Sequence, residues 1–153
     1  MQLSIRAATT ADRAFIESLG KRTVMDSVTA IRSPDPVEVI ENFDRLLRIV
    51  DAREHVALIA EDAGDPVGFL LLLYSLPDEV TGDDQAFVAY MAVERERRGG
   101  GIGAALLSAA EDEARKRDLA YIALMVTEEN ASARALYDRA GYLTERRLLC
   151  KML

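Results

Sequence analysis

Apolar and polar positions along the first half of the chain follow two different spacings, one typical of strands and one typical of helices. Alternation in Leu3–Ala8 predicts a strand, and a capping-box pattern then begins a helix over Thr9–Leu19, which Gly20 is expected to end. A second helix, from Asp35 to about Ala52, carries its apolar residues on one face. The runs HVALIAED and PVGFLLLLYS flank the turn DAGD and predict a β-hairpin.

The second half of the chain alternates strands and helices. An apolar strand is predicted at Gln85–Val93, a helix at Ile102–Arg117 and another strand at Ala120–Val126. Asn130 caps a short helix, and RRLLCKML predicts a last strand with Cys150 buried. The order β-α-α-β-β-β-α-β-α-β predicts an α/β (α+β) fold. Its mixed sheet should be mostly antiparallel, with parallel pairing late in the chain.

Composition limits the classes of function that remain. A length of 153 residues without an evident linker suits one domain spanning residues 1–153. The net charge of −7 argues against nucleic-acid binding. No apolar run reaches the roughly 20 residues of a membrane span, and no signal-peptide pattern begins the chain, so a cytoplasmic location is expected. One cysteine and one histidine leave no basis for a disulfide framework or a His/Cys metal site.

The stretch RRGGGIG lies between the predicted strand and the predicted helix. The first N–H groups of a helix have no intrahelical partner, and the helix dipole adds partial positive charge there. Glycines allow phosphate oxygens to approach these groups, and Arg97 and Arg98 add charge at the same place. This arrangement predicts an anion-binding site. A tight turn without a ligand would need only one or two of the four glycines.

Two familiar phosphate-binding motifs fit this loop poorly. A P-loop ends in Gly-Lys-Ser/Thr, whereas Gly103 is followed by two alanines. The dinucleotide-binding fingerprint is formally met by Gly99, Gly101 and Ala104, and Glu128 falls near the end of the next strand. However, the charged run Glu94–Arg98 separates the strand from the first glycine, and the chain is short for a doubly wound nucleotide domain.

A third pattern, Arg/Gln-x-x-Gly-x-Gly/Ala, matches from Arg98 to Gly103. Here YMAVERERRGGGIGAALL resembles the acetyl-CoA-binding strand and loop of the GNAT superfamily of N-acetyltransferases, and NASARALYDRAGY resembles its second motif. The resemblance covers most of the chain and is strongest from Tyr90 to Tyr142. It implies a GNAT-like sheet flanked by about four helices, and transfer of an acetyl group from acetyl-CoA to a primary amine by direct attack.

The resemblance also implies which residues hold acetyl-CoA. The glycine loop would bind the pyrophosphate, and backbone groups of Met91 and Val93 would bind the pantetheine arm and the acetyl carbonyl. Asn130 would contact the pantetheine arm besides capping its helix. The implied cofactor-binding residues are Met91, Ala92, Val93, Arg98, Gly99, Gly100, Gly101, Ile102, Gly103, Ala104, Asn130, Ala133 and Tyr137.

Catalytic roles follow from the same resemblance. Tyr137 would protonate the departing CoA thiolate, because a phenol with a pKa near 10 keeps its proton where a thiol with a pKa near 8.5 loses its own. A packed core tyrosine is the alternative role. Many family members place a glutamate base where this chain has Gln85, so Asp84 and Glu94 become the candidates, with Asp83 and Glu96 behind them. Each of these carboxylates is equally compatible with a solvated surface charge.

The sequence is compatible with two classes of acceptor. The resemblance assigns acceptor selection to Lys21–Ser33 and Glu145–Leu148, whose mixed composition indicates a small molecule as readily as a protein or peptide amine. A homodimer remains open, because dimers are common among related domains. The departure at Gln85 leaves a non-catalytic CoA-binding sensor as the alternative function.

Overall fold

Five strands form one sheet in sequence order in the computed structural model, which describes residues Met1–Leu153. The strands are β1 (Leu3–Ala7), β2 (His55–Asp62), β3 (Asp65–Leu73), β4 (Ala86–Val93) and β5 (Ile122–Leu124). β1 to β4 pair antiparallel, and β4 pairs with β5 in parallel. The predicted mixed sheet, with its parallel pair at the late strand–helix–strand unit, is confirmed.

Four helices cover the two faces of the sheet, as predicted. They are α1 (Arg13–Thr23), α2 (Pro36–Asp51), α3 (Ile102–Lys116) and α4 (Ala131–Arg139), and none is long and apolar enough to cross a membrane. Short 3-10 turns occupy Thr10–Asp12, Val24–Ser27, Ala30–Arg32 and Arg95–Arg97. α1 and α2 pack on one face of the sheet, and α3 packs on the other.

β3 is the centre of the core, because helices cover both of its faces. Phe69 and Leu71 face α1 and α2, whereas Leu70 and Leu72 face α3. All four are at most 3% exposed. Each such side chain stabilises the fold by roughly 1.5–3 kcal/mol relative to its exposed state. This two-sided burial explains why the strand reads as a continuous apolar run.

Helix α1 does not end at Gly20, contrary to the sequence-based expectation. It continues to Thr23, and Gly20 lies buried inside it. A Cβ atom at Gly20 would lie 2.0–2.7 Å from ring atoms of Phe43 on α2. The glycine therefore serves the close approach of two helices and not a helix end.

The predicted last strand is absent, and Cys150 is exposed where it was expected to be buried. Residues 143–153 have no regular secondary structure, and β5 pairs only with β4. Near the start of this segment, Arg146 donates to the carboxylate of Asp78 in the loop before β4. A strand needs a partner for its backbone groups, and this contact holds the segment at that loop instead of beside β5.

Candidate functional site

The edge of β4 that faces β5 is open along half of its length. The parallel pairing ends at Val88, which lies opposite Leu124. On the other side of β4, successive β3 residues lie opposite Val88 and Tyr90, so Ala89 forms a β-bulge. Beyond the bulge β4 keeps β3 as its only strand partner. We call Ala89–Val93 the open half of β4, and the space beside it the gap.

Backbone groups of alternate residues in the open half point into the gap. The N–H of Glu94 donates to the carbonyl of Val67 at 2.8 Å, so Glu94 faces β3. The carbonyl of Val93 faces the other way and accepts from Nε of Arg98 at 3.2 Å. Because the two sides alternate along an antiparallel strand, the backbone of Met91 points into the gap as well. These are the two residues expected to hold the pantetheine arm and the acetyl carbonyl.

The glycine loop leads into α3, and the first amide groups of this helix have no hydrogen-bond partner in the helix. Gly99 and Gly101 have φ angles of 82° and 83°, a left-handed conformation that favours glycine. A Cβ atom on either would meet no atom within 4 Å, so both glycines border open space. The first bond of the helix runs from the N–H of Ala105 to the carbonyl of Gly101 at 3.0 Å. The N–H groups of residues 102–104 therefore have no intrahelical partner and can bind an anion.

The remaining two glycines of the loop differ from each other. A Cβ atom at Gly103 would lie 2.9 Å from Cδ2 of Leu136 and 3.8 Å from Cε of Met91, so this glycine lets α3 pack closely against α4 and β4. Gly100 has an ordinary φ, and its Cβ atom would meet its nearest neighbours at 3.5 Å. Gly103 thus has a packing role that the sequence did not reveal, whereas Gly100 has no comparable structural demand.

Both arginines of the loop are held by carboxylates. Arg97 donates to Asp62 at the end of β2 at 2.5 Å. Nη2 of Arg98 donates to Asp26 at 3.2 Å, while its Nε holds the Val93 carbonyl. The guanidinium predicted to bind pyrophosphate therefore lies at the end of the gap, paired with a residue from the connection between α1 and α2.

That connection, Val24–Arg32, spans the gap, and we call it the crossover segment. Oγ1 of Thr127, in the loop after β5, donates to the carbonyl of Ser27 at 2.6 Å. The N–H of Ala30 donates to the Glu129 carboxylate at 3.2 Å. The crossover segment makes up most of the region expected to select the acceptor, and the structure places it against both sides of the gap.

A mostly apolar, open pocket of about 300 Å³ lies beneath the crossover segment. Its lining residues are Val24, Ser27, Val28, Val39, Asn42, Phe43, Leu46 and Tyr90. The hydroxyls of Tyr90 and Thr23 are 2.8 Å apart. Thr23 donates its only proton to the carbonyl of Leu19 at 2.8 Å, so Tyr90 is the donor to Thr23. Sequence reasoning missed Tyr90, although it is the one residue with a polar group inside an apolar strand run.

Tyr137 lies on α4, and Asn130 immediately precedes this helix. Burial raises the pKa of the Tyr137 phenol, whose hydroxyl has no hydrogen-bond partner within the protein. Its ring meets that of Tyr142 edge to face, with centroids 5.9 Å apart. Oδ1 of Asn130 accepts from the N–H of Ala133 at 3.3 Å, so the predicted helix cap is confirmed. A protonated phenol suits the proton-donor role predicted for Tyr137.

Neither carboxylate candidate for a base is free. Asp84 accepts from the Ser75 hydroxyl at 2.9 Å and precedes β4, at the opposite end of that strand from the glycine loop. Arg22 donates two hydrogen bonds, of 2.8 and 2.9 Å, to the Glu94 carboxylate, and these bonds lower the pKa of Glu94. A carboxylate with a lowered pKa is a weaker proton acceptor. No three His, Cys, Asp or Glu side chains are grouped as metal ligands either.

Comparisons with known proteins agree with this geometry. The family model for the acetyltransferase (GNAT) family matches residues 24–142. An uncharacterised N-acetyltransferase of Bacillus subtilis, YhfO, is 31% identical over 140 residues, which are 92% of this chain and 89% of that protein. A mycothiol acetyltransferase of Beutenbergia cavernae is 33% identical over 84 residues, 55% of this chain. The matched region is only 27% of that longer relative.

Solved structures share the fold over nearly the whole chain. A putative acetyl transferase from Pyrococcus furiosus has a TM-score of 0.78 at 24% identity, covering 99% of this chain and 100% of that one. A predicted acetyltransferase from Clostridium acetobutylicum, solved with acetyl-CoA, has a TM-score of 0.69 at 20% identity, covering 99% and 96%. At these identities the likeness concerns the fold.

Proposed function

The chain belongs to the acetyltransferase (GNAT) family, and from that premise we propose that it moves an acetyl group from acetyl-CoA to a primary amine on a small molecule, peptide or protein. One observation carries the proposal: the open half of β4 ends at a glycine loop that borders open space and leads into the unpaired first amides of α3. An extended ligand with an anionic end fits such a gap, because the strand offers backbone hydrogen bonds and the loop offers amide donors.

In this proposal each part of the site has a separate task. The amides of residues 102–104, together with Arg98, hold the pyrophosphate, and the open half of β4 holds the pantetheine arm. The bound cosubstrate supplies an acetyl thioester. The N–H of Met91 or Val93 polarises the acetyl carbonyl as negative charge builds on its oxygen. Holding both reactants in one gap supplies proximity and orientation.

Proton transfers involve the opposite sides of the gap. The attacking amine must lose a proton, and a water chain is favoured over the two carboxylate candidates because Asp84 and Glu94 are engaged elsewhere. Tyr137 donates a proton to the CoA sulfur, since burial keeps its phenol protonated at neutral pH. Asn130 orients α4 through its cap and contacts the pantetheine arm.

Two measurements test this proposal together. Calorimetry with acetyl-CoA, NAD and ATP should show micromolar binding for acetyl-CoA alone. A thiol-release assay should then show that at least one member of a panel of small amines and N-terminal peptides accelerates CoA release over hydrolysis. Binding of NAD or ATP in preference to acetyl-CoA would contradict the assignment of the loop.

A non-catalytic CoA-binding domain is the second candidate, and a specific observation favours it. Gln85 replaces the glutamate that many family members use, and both nearby candidates have other partners. Such a domain would bind acetyl-CoA without any amine-dependent release of CoA. The same amine panel therefore decides between the two functions.

A further inference from the structure

Asp26 and Arg98 form an ion pair whose contribution to the stability of the fold is small. Both side chains are exposed, by 40% and 42% respectively, and they join the crossover segment to the glycine loop. Exposed pairs of this kind contribute little to stability. The pair nevertheless places a carboxylate at the end of the gap, beside the open half of β4 whose Val93 carbonyl Arg98 also holds.

Arg98 has a stronger partner available than Asp26. A pyrophosphate at the N-terminus of α3 carries more charge than a carboxylate and accepts two parallel hydrogen bonds from a guanidinium. Arg98 gives two adjacent donors to separate partners, Nε to the Val93 carbonyl and Nη2 to Asp26, so a pyrophosphate that takes this parallel pair displaces Asp26. An anion bound at the loop therefore draws Arg98 away from Asp26.

Asp26 is the carboxylate that this exchange would leave without a partner. Its hydrogen bond from Arg98 is its only one. Asp62, the partner of the neighbouring Arg97, also accepts from the N–H of Gln2 at 2.8 Å and would keep that bond. Glu94 keeps its two hydrogen bonds from Arg22. Only at Asp26 does the negative charge become free when the loop is occupied.

We propose that acetyl-CoA binding moves Arg98 from Asp26 to the pyrophosphate, and that the released Asp26 carboxylate then binds the ammonium group of the acceptor. This inference rests on the proposed function, because it names the residue that selects a cationic amine. Asp26 adjoins Ser27, which lines the apolar pocket and is held across the gap by Thr127. An acceptor with a cationic amine next to an apolar group fits this wall.

The first arm of the test measures acetyl-CoA affinity by calorimetry. Asp26→Asn removes the competing charge, so acetyl-CoA should bind about two- to fivefold more tightly than to the unchanged protein. Arg98→Gln should weaken binding, and adding Asp26→Asn to it should give no further tightening. Asp44→Asn is the matched control, since Asp44 is also 40% exposed and ion-paired, with Lys21, away from the loop. Unchanged or weaker affinity in Asp26→Asn would overturn the exchange.

The second arm measures steady-state kinetics with the best amine of the panel. Asp26→Asn should raise KM for the amine by about tenfold or more, with a smaller change in kcat, because a charge-assisted contact to the bound acceptor is lost. Asp44→Asn should change neither constant. An unchanged KM in Asp26→Asn would overturn the acceptor role. If no amine is acetylated by the unchanged protein, the proposed function and the acceptor role fail, while the calorimetry still decides whether Arg98 exchanges partners.

Discussion

The two halves of β4 are both mainly apolar but have different partners. Ala86–Val88 pairs with β3 on one side and β5 on the other, and Ala86 and Val88 are buried. Ala89–Val93 pairs with β3 alone, and a bulge separates the two halves. The comparison teaches that the first half holds the sheet together, whereas the second keeps backbone donors and acceptors available for a ligand.

The largest effect is expected from a substitution at the end of the gap where the pyrophosphate is proposed to bind. Gly101→Glu forces a side chain onto a φ of 83° and places a negative charge at the proposed pyrophosphate site. Acetyl-CoA affinity should fall by about 100-fold or more, the equivalent of losing one or two charge-assisted hydrogen bonds. Circular dichroism should show an intact fold, because a side chain there enters open space.

Gly100→Ala is the matched control for that variant. Gly100 has an ordinary φ and room for a methyl group, so its acetyl-CoA affinity should stay within about threefold of the unchanged protein. Micromolar affinity retained in Gly101→Glu would mean that the loop does not bind the pyrophosphate.

A smaller effect is expected at Tyr137, the proposed proton donor. Tyr137→Phe should lower kcat by about 100-fold, a typical contribution of a general acid, with little change in acetyl-CoA affinity. The comparison variant is Tyr142→Phe, which removes a buried hydroxyl that has no hydrogen-bond partner. It should retain activity and raise the free energy of unfolding by about 1 kcal/mol. If Tyr137→Phe and the unchanged protein had equal turnover at saturating substrates, Tyr137 would not be the proton donor and would only pack in the core.

The smallest effect on function is expected in the paired half of β4. Val88→Ala removes two methyl groups from a side chain that is 6% exposed in the core. The free energy of unfolding should fall by roughly 1–3 kcal/mol, as measured by denaturant titration. Acetyl-CoA affinity should not change, because this half lies outside the gap. If the binding free energy of acetyl-CoA fell by more than the free energy of unfolding, the two halves of β4 would not act separately.

Local patterns in the sequence predicted the elements around the gap, whereas only the family resemblance, through the backbone roles of Met91 and Val93, implied an open strand edge. The boundaries of β4 and α3 follow from an apolar run, a glycine loop and a helical stripe, all of which are local signals. The bulge at Ala89 leaves no such signal, because the residues on both sides of it are apolar. The pairing of Arg98 with Asp26 joins residues that are 72 positions apart, so no local pattern could indicate it.

The two fold predictions that were wrong share a cause. Gly20 resembles a helix end, but its role depends on Phe43 of another helix. The apolar residues near Cys150 resemble a strand, but a strand also depends on a partner, and β5 pairs with β4 alone. In both cases the local pattern alone favoured the wrong structure, because the structure depends on contacts with residues elsewhere in the chain.

The contact between Gly20 and Phe43 also bears on how this protein could change its acceptor. Because no larger residue fits at Gly20, the spacing of α1 and α2 is fixed. The crossover segment that joins these helices contributes no buried residue. Substitutions in this segment therefore leave the buried core intact while they change the surface that is proposed to contact the acceptor. A mutagenesis library confined to the crossover segment, Val24–Arg32, is expected to change the proposed amine specificity with little loss of stability.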